Sequence, residues 1–106
     1  MRELKTRTVV LLGRRPPSMW DELRTVLHRN DDLVVLSLGY PVSEEQRSWL
    51  LAAQELAAEI GAWFDALLVV SPRELVTHLL PGDDVRVAAS GREARRLQSA
   101  AGAVER

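Results

Sequence analysis

Four times in this 106-residue chain an apolar, β-branched run stops at a short turn of Gly, Ser, Pro or Arg, and an amphipathic helical pattern follows at once. The turns read Gly13-Arg14-Arg15-Pro16-Pro17-Ser18, Gly39-Tyr40-Pro41-Val42-Ser43, Ser71-Pro72-Arg73 and Ser90-Gly91-Arg92. Such units imply a parallel sheet, because parallel neighbours need a crossover and a helix is the usual one. The expected fold is a single α/β domain over residues 1–106, with a largely parallel four-stranded sheet and about four helices. Residues 1–7 leave room for a fifth strand, which would make the sheet mixed. All four turns then gather at one sheet edge, where open α/β sheets usually carry their function.

The pattern places each element. Thr8-Val9-Val10-Leu11-Leu12 reads as a strand, and Ser18 as the N-cap of a helix whose apolar stripe is Met19, Trp20, Leu23, Val26 and Leu27. Asn30-Asp31-Asp32 supplies turn residues after it. Leu33 to Leu38 is almost continuously apolar, as a strand covered on both faces would be, and is the expected sheet centre. The longest helix is expected from Glu44 to Ile60, with Ser43 as N-cap, an apolar stripe from Trp49 to Ile60 and Gly61 as its stop. Trp63 to Val70 holds the third strand, centred on Leu67-Leu68-Val69-Val70. Pro72 fits the first position of a third helix, with Leu75, Val76, Leu79 and Leu80 as its buried side before Pro81-Gly82. Asp84 to Ala89 and Glu93 to about Ala101 complete the series.

Composition narrows the function. The chain is 46% hydrophobic, enough for one core. Nothing approaches the roughly 18 apolar residues of a membrane span. Met1 to Arg7 lacks the apolar stretch of a secretory signal, so a cytoplasmic location is expected. With no cysteine, thiol catalysis, disulfides and zinc knuckles are excluded. A net charge of −1 gives no general attraction to nucleic acid or anionic lipid.

Charge divides between the two ends of the strands. Arg14, Arg15, Arg73 and Arg92 fall in the turns that lead into helices, while Asp31, Asp32, Asp83 and Asp84 fall in the opposite ones. Arginines beside free helix N–H groups suit a phosphate, although neither a P-loop nor a GxGxxG motif is present. Solvation of turn residues accounts for the same pattern and is weighted above it. His28 and His78 lack the paired spacing of a metal site and fit helix ends. No metal or cofactor is expected. Arg14-Arg15-Pro16-Pro17 reads as a rigid helix entry, or as a basic-flanked polyproline ligand.

The order of these pieces resembles a STAS domain, the fold of bacterial anti-sigma factor antagonists. The residues that carry the resemblance are Gly13, Glu22-Leu23-Arg24, Val34-Val35-Leu36-Ser37-Leu38, Leu50-Leu51-Ala52-Ala53, Gly61, Leu67-Leu68-Val69-Val70, Ser71-Pro72 and Gly82. The family's Asp-Ser-Ser-Gly motif falls approximately on Ser43-Glu44-Glu45-Gln46, so Glu44 or Glu45 stands at the phosphorylated serine. A carboxylate there carries one charge where phosphoserine carries up to two. Ser43 or Ser48 is the alternative phosphoacceptor. A capping box from Ser43 to Gln46 accounts for the same residues without any switch.

The resemblance implies a non-enzymatic regulatory module that binds a protein partner, of the kinase-like anti-sigma type or another component of such a system. Homodimer formation is a further expectation. The partner surface is placed on Gly39, Tyr40, Pro41, Ser43, Glu44, Glu45 and Ser48, flanked by Arg14, Arg15 and Arg73. Trp20 and Trp63 receive no functional role, since a Trp at stripe spacing is usually core. The alternative function is a small nucleotide- or phosphate-binding domain, enzymatic or not, that uses Arg14, Arg15, Arg73 and Arg92.

Overall fold

The computed structural model describes residues 7–18, 20–27, 32–39 and 42–102. Strand and helix alternate throughout: β1 (Arg7–Leu12), α1 (Trp20–Val26), β2 (Asp32–Leu38), α2 (Glu44–Ile60), β3 (Trp63–Val69), α3 (Pro72–Thr77), β4 (Asp84–Ala88) and α4 (Gly91–Gly102). All pairings are parallel and the strand order is β3-β2-β1-β4. The expected α/β class, parallel sheet and four helices are therefore what the chain forms. Residues 1–6, most of the stretch that leaves room for a fifth strand, lie outside the described residues, as do Met19, His28, Asn30 and Asp31.

The strand order fixes the layers. Successive strands β1, β2 and β3 step in one direction, and right-handed crossovers put α1 and α2 on one face. The chain then returns past β2 and β1 to add β4, so α3 and α4 cover the other face. Two apolar clusters record this. Val10, Leu12, Leu33 and Val35 pack with Leu23 and Leu27 from the α1 segment and with Ala53, Leu56 and Ala57 of α2. Val9, Leu11, Val34, Leu36, Leu38 and Val69 pack with Leu75, Leu79 and Leu97. The alternation of neighbours between faces is the two-residue period of a strand, and β2, buried along nearly its whole length, carries both faces.

Local signals set the helix ends. Ser43 caps α2 through a complete capping box with Gln46, and Gly61 closes it at φ 76°, in the left-handed region that a Cβ disfavours. At α3, Ser71 accepts from the Glu74 N–H and Pro72 takes the first turn. That helix ends at Thr77, earlier than the apolar spacing suggests. Leu79 is buried beyond its end, while Leu80 is exposed and does not belong to the buried side.

β3 departs most from expectation. Its run of apolar residues reads like that of β2, yet only Val69 is buried. The strand pairs with β2 alone and stands at the sheet edge. The buried side of α2 packs mainly over β1 and β2 and meets β3 at Phe64, while Val69 is the buried residue of β3 in the cluster with the six-residue α3. Trp63 is 66% exposed, Leu68 59% and Val70 71%. The core role given to Trp63 is therefore replaced by a surface one.

Candidate functional site

The carboxyl ends of the strands bring the first two turns together. Ser43 Oγ, besides accepting from the Gln46 N–H at 3.1 Å, donates to the Arg14 carbonyl oxygen at 2.9 Å. Gln46, only 1% exposed, receives the Ser43 N–H on Oε1 at 2.8 Å and donates from Nε2 to the Gly13 carbonyl oxygen at 2.9 Å. One glutamine thus completes the cap of α2 and ties that helix to the end of β1. Buried backbone groups without partners are costly, so this double use holds the turn in place.

Above this link lies an open groove lined by Pro16, Pro17 and Ser18 of the first turn, Trp20 of α1, and Glu44, Glu45, Ser48, Trp49 and Ala52 of α2. Trp20 and Trp49 meet edge-to-face across it, with centroids 6.2 Å apart and planes at 85°. The Trp49 indole N–H is buried and has no acceptor. Glu44, Glu45 and Ser48 are exposed on the first turns of the helix, where carboxylates also favour the positive end of its dipole. Of the residues assigned to a partner surface, the structure gathers Glu44, Glu45 and Ser48 here, with Ser43 and the backbone of Arg14 just below.

The others separate. Gly39 is a packing residue: a Cβ there would stand 2.8 Å from Val70 Cα and 3.2 Å from the Val69 carbonyl oxygen, where the turn passes the end of β3. Tyr40 and Pro41 lie outside the described residues. Arg15 is exposed on the first turn. Arg73 belongs to α3, on the opposite face of the sheet from α2. Its neighbour Pro72 shares a shallow depression with Arg92, Arg95 and Arg96 of α4.

The order of strand addition reverses between β1 and β4, the position at which open α/β sheets usually hold ligands. That crevice is filled by the chain itself. The Arg14 N–H donates to both carboxylate oxygens of Glu93 at 3.2 Å, and the Gly13 N–H donates to the Ala88 carbonyl at 2.9 Å. Gly13 and Ala89 are so close that a Cβ on Gly13 would lie 2.3 Å from the Ala89 Cβ.

At the opposite strand ends Asp83 and Asp84 are structural. Asp83, its side chain 4% exposed, accepts from Arg7 at 2.9 Å and from the Leu80 N–H at 2.8 Å. Asp84 and Glu22 both pair with Arg86, at 3.3 and 2.6 Å. His78 caps α3 and its carbonyl accepts from Arg7. Among the described residues no group of His, Asp or Glu is arranged to hold a metal, and no helix is long and apolar enough to cross a membrane.

Reading by motif missed Glu93, Gln46 as a tie between two turns, and the exposure of β3. Only Gln46 left a trace, the Ser43-to-Gln46 spacing of a capping box. Comparison with protein-family models, curated proteins and solved structures finds no match for the chain.

Proposed function

We propose that this chain is a non-enzymatic regulatory protein-interaction module whose partner docks on the groove between the first turn and α2. The observation that carries the reading is the meeting of Glu44, Glu45 and Ser48 with Pro16, Pro17 and the Trp20–Trp49 pair. Partly exposed tryptophans beside a polar rim have the composition of interface anchors. In the form implied by resemblance to anti-sigma factor antagonists, the partner is a kinase-like anti-sigma factor. Glu44 or Glu45 then supplies the fixed charge, or Ser48, whose side chain is exposed, accepts phosphate. This finer form rests on the sequence resemblance; the groove supports only the docking surface. Ser43 suits phosphorylation less well, because its hydroxyl is engaged with both Gln46 and Arg14.

The test is capture from the native host, with bound proteins identified by mass spectrometry, using wild type, Glu45→Lys and Trp20→Ala. Loss of the same specific protein in both variants, with thermal melting of Glu45→Lys unchanged, is the expected result. Full retention by both removes the groove from the reading. A captured anti-sigma kinase supports the finer form; an unrelated specific partner leaves the module and discards that form.

The second reading, an anion or nucleotide site, draws on the depression lined by Pro72, Arg92, Arg95 and Arg96. A ligand at 100 times its Kd adds about 2.7 kcal/mol to stability, so melting with phosphate and a nucleotide panel detects it. No shift rejects it.

A further inference from the structure

We propose that β3 pairs antiparallel with β3 of a second copy, about a two-fold axis at Ala66, joining two four-stranded sheets into one of eight strands. This surface is separate from the groove on the α1 side of α2, and the inference stands without the reading of that groove.

Edge strands present unpaired backbone N–H and C=O groups, and proteins usually guard them with charge, proline, bulges or a covering element. The two edges of this sheet differ in that respect. β4 carries Asp84 and Arg86, locked to each other and to Glu22, and all its residues are at least half-buried. β3 has no proline or basic residue, and its one charge is Asp65. An edge guarded on one side and open on the other stops at two copies: head-to-tail addition of β3 onto β4 would meet the charged pair, whereas β3 on β3 is self-complementary and closed.

The strand's own sequence selects the register. Residues facing each other across an antiparallel pair must lie on the same sheet face, and an axis at Ala66, the midpoint of Trp63–Val69, pairs all seven residues. It sets Phe64 opposite Leu68 of the second copy twice over, Asp65 opposite Leu67, and Trp63 opposite Val69. An axis at Asp65 would oppose the two carboxylates, and one at Leu67 would pair only the five residues from Asp65 to Val69. Beside the strand, α2 adds its flank away from Glu59, where Arg47 and Gln54 fall by helical spacing and are exposed. A stable interface needs about 800 Å² from each copy. Trp63, Leu68 and Val70, each more than half exposed, and Leu67 supply the apolar part of that area along the open edge.

Sedimentation of the full chain over a hundredfold dilution series is expected to show a reversible dimer, and Leu68→Lys, which changes an exposed side chain, a folded monomer by circular dichroism. The chain has no cysteine, so Ala66→Cys reports the register directly: on mild oxidation it should form a disulfide-linked dimer far faster than Arg73→Cys, because Cα atoms about 4.4–6.8 Å apart are needed. Three results overturn the inference. These are a wild-type monomer throughout the series, a dimer that Leu68→Lys leaves intact, and cross-linking at Ala66→Cys no faster than at Arg73→Cys. The first would assign the edge to a strand from another protein.

Discussion

Replacing Gln46 by Met keeps the length and bulk of a side chain that is only 1% exposed while removing both its hydrogen-bonding atoms. Two backbone groups lose their partner: the Ser43 N–H, held at 2.8 Å, and the Gly13 carbonyl, held at 2.9 Å. Each buried group so orphaned costs about 1–3 kcal/mol. Burying a thioether in place of an amide offsets about 1–2 kcal/mol of this. The net expectation is about 2 kcal/mol of destabilisation, which for a domain of this size lowers the melting temperature by about 8–16 °C. Urea unfolding followed by far-UV circular dichroism reads it, with the slope against urea unchanged if only stability has altered. Gln46→Glu separates the two bonds. A glutamate at this position completes the capping box as well as glutamine does, but it turns a carboxylate toward the Gly13 carbonyl, so it should lose about 1–2 kcal/mol. A Gln46→Met protein within about 0.5 kcal/mol of wild type, the range of ordinary surface changes, refutes the assignment of Gln46 as the tie between α2 and the end of β1. Equal stability of Gln46→Glu and wild type refutes the cross-turn half alone.

Other perturbations probe the rest of the frame. Gly13→Ala should cost about 2–3 kcal/mol through its 2.3 Å approach to the Ala89 Cβ, and Ala89→Gly should recover part of that loss in a double-mutant cycle read by urea unfolding. Asp83→Ala, which strips acceptors from Arg7 and the Leu80 N–H, should cost about 2 kcal/mol in the same assay. Arg24→Ala removes a 3.6 Å pair with Glu59 in which both side chains are more than half exposed, so a change below about 0.5 kcal/mol is expected.

Much of this frame was legible residue by residue. The bounds of α2, its Ser43 cap and its Gly61 stop were readable because each depends on atoms within one helical turn. The same holds for Ser71-Pro72 at the start of α3. The candidate site was legible only in part. Glu44, Glu45 and Ser48 do share a groove, but the Arg73 placed beside them lies across the sheet, and Gly39 is held by packing against Val70. Glu93 gave no signal at all, since its role is to reach a backbone N–H 79 residues earlier in the chain.

By itself, then, the sequence determined which segments are strands and helices, where the capped helix α2 begins and ends, and that the strands run parallel. These follow from periodicity, caps and crossover lengths, all of them local. The tertiary structure decided which strand has neighbours on both sides. Leu33 to Leu38 and Trp63 to Val69 are both rich in apolar residues, yet one is buried throughout and the other is exposed at all but Phe64 and Val69. The difference arises because the chain turns back after β3 and adds β4 on the far side of β1. That reversal leaves β3 at the edge, with a short α3 beside it, and no property of its own seven residues records it.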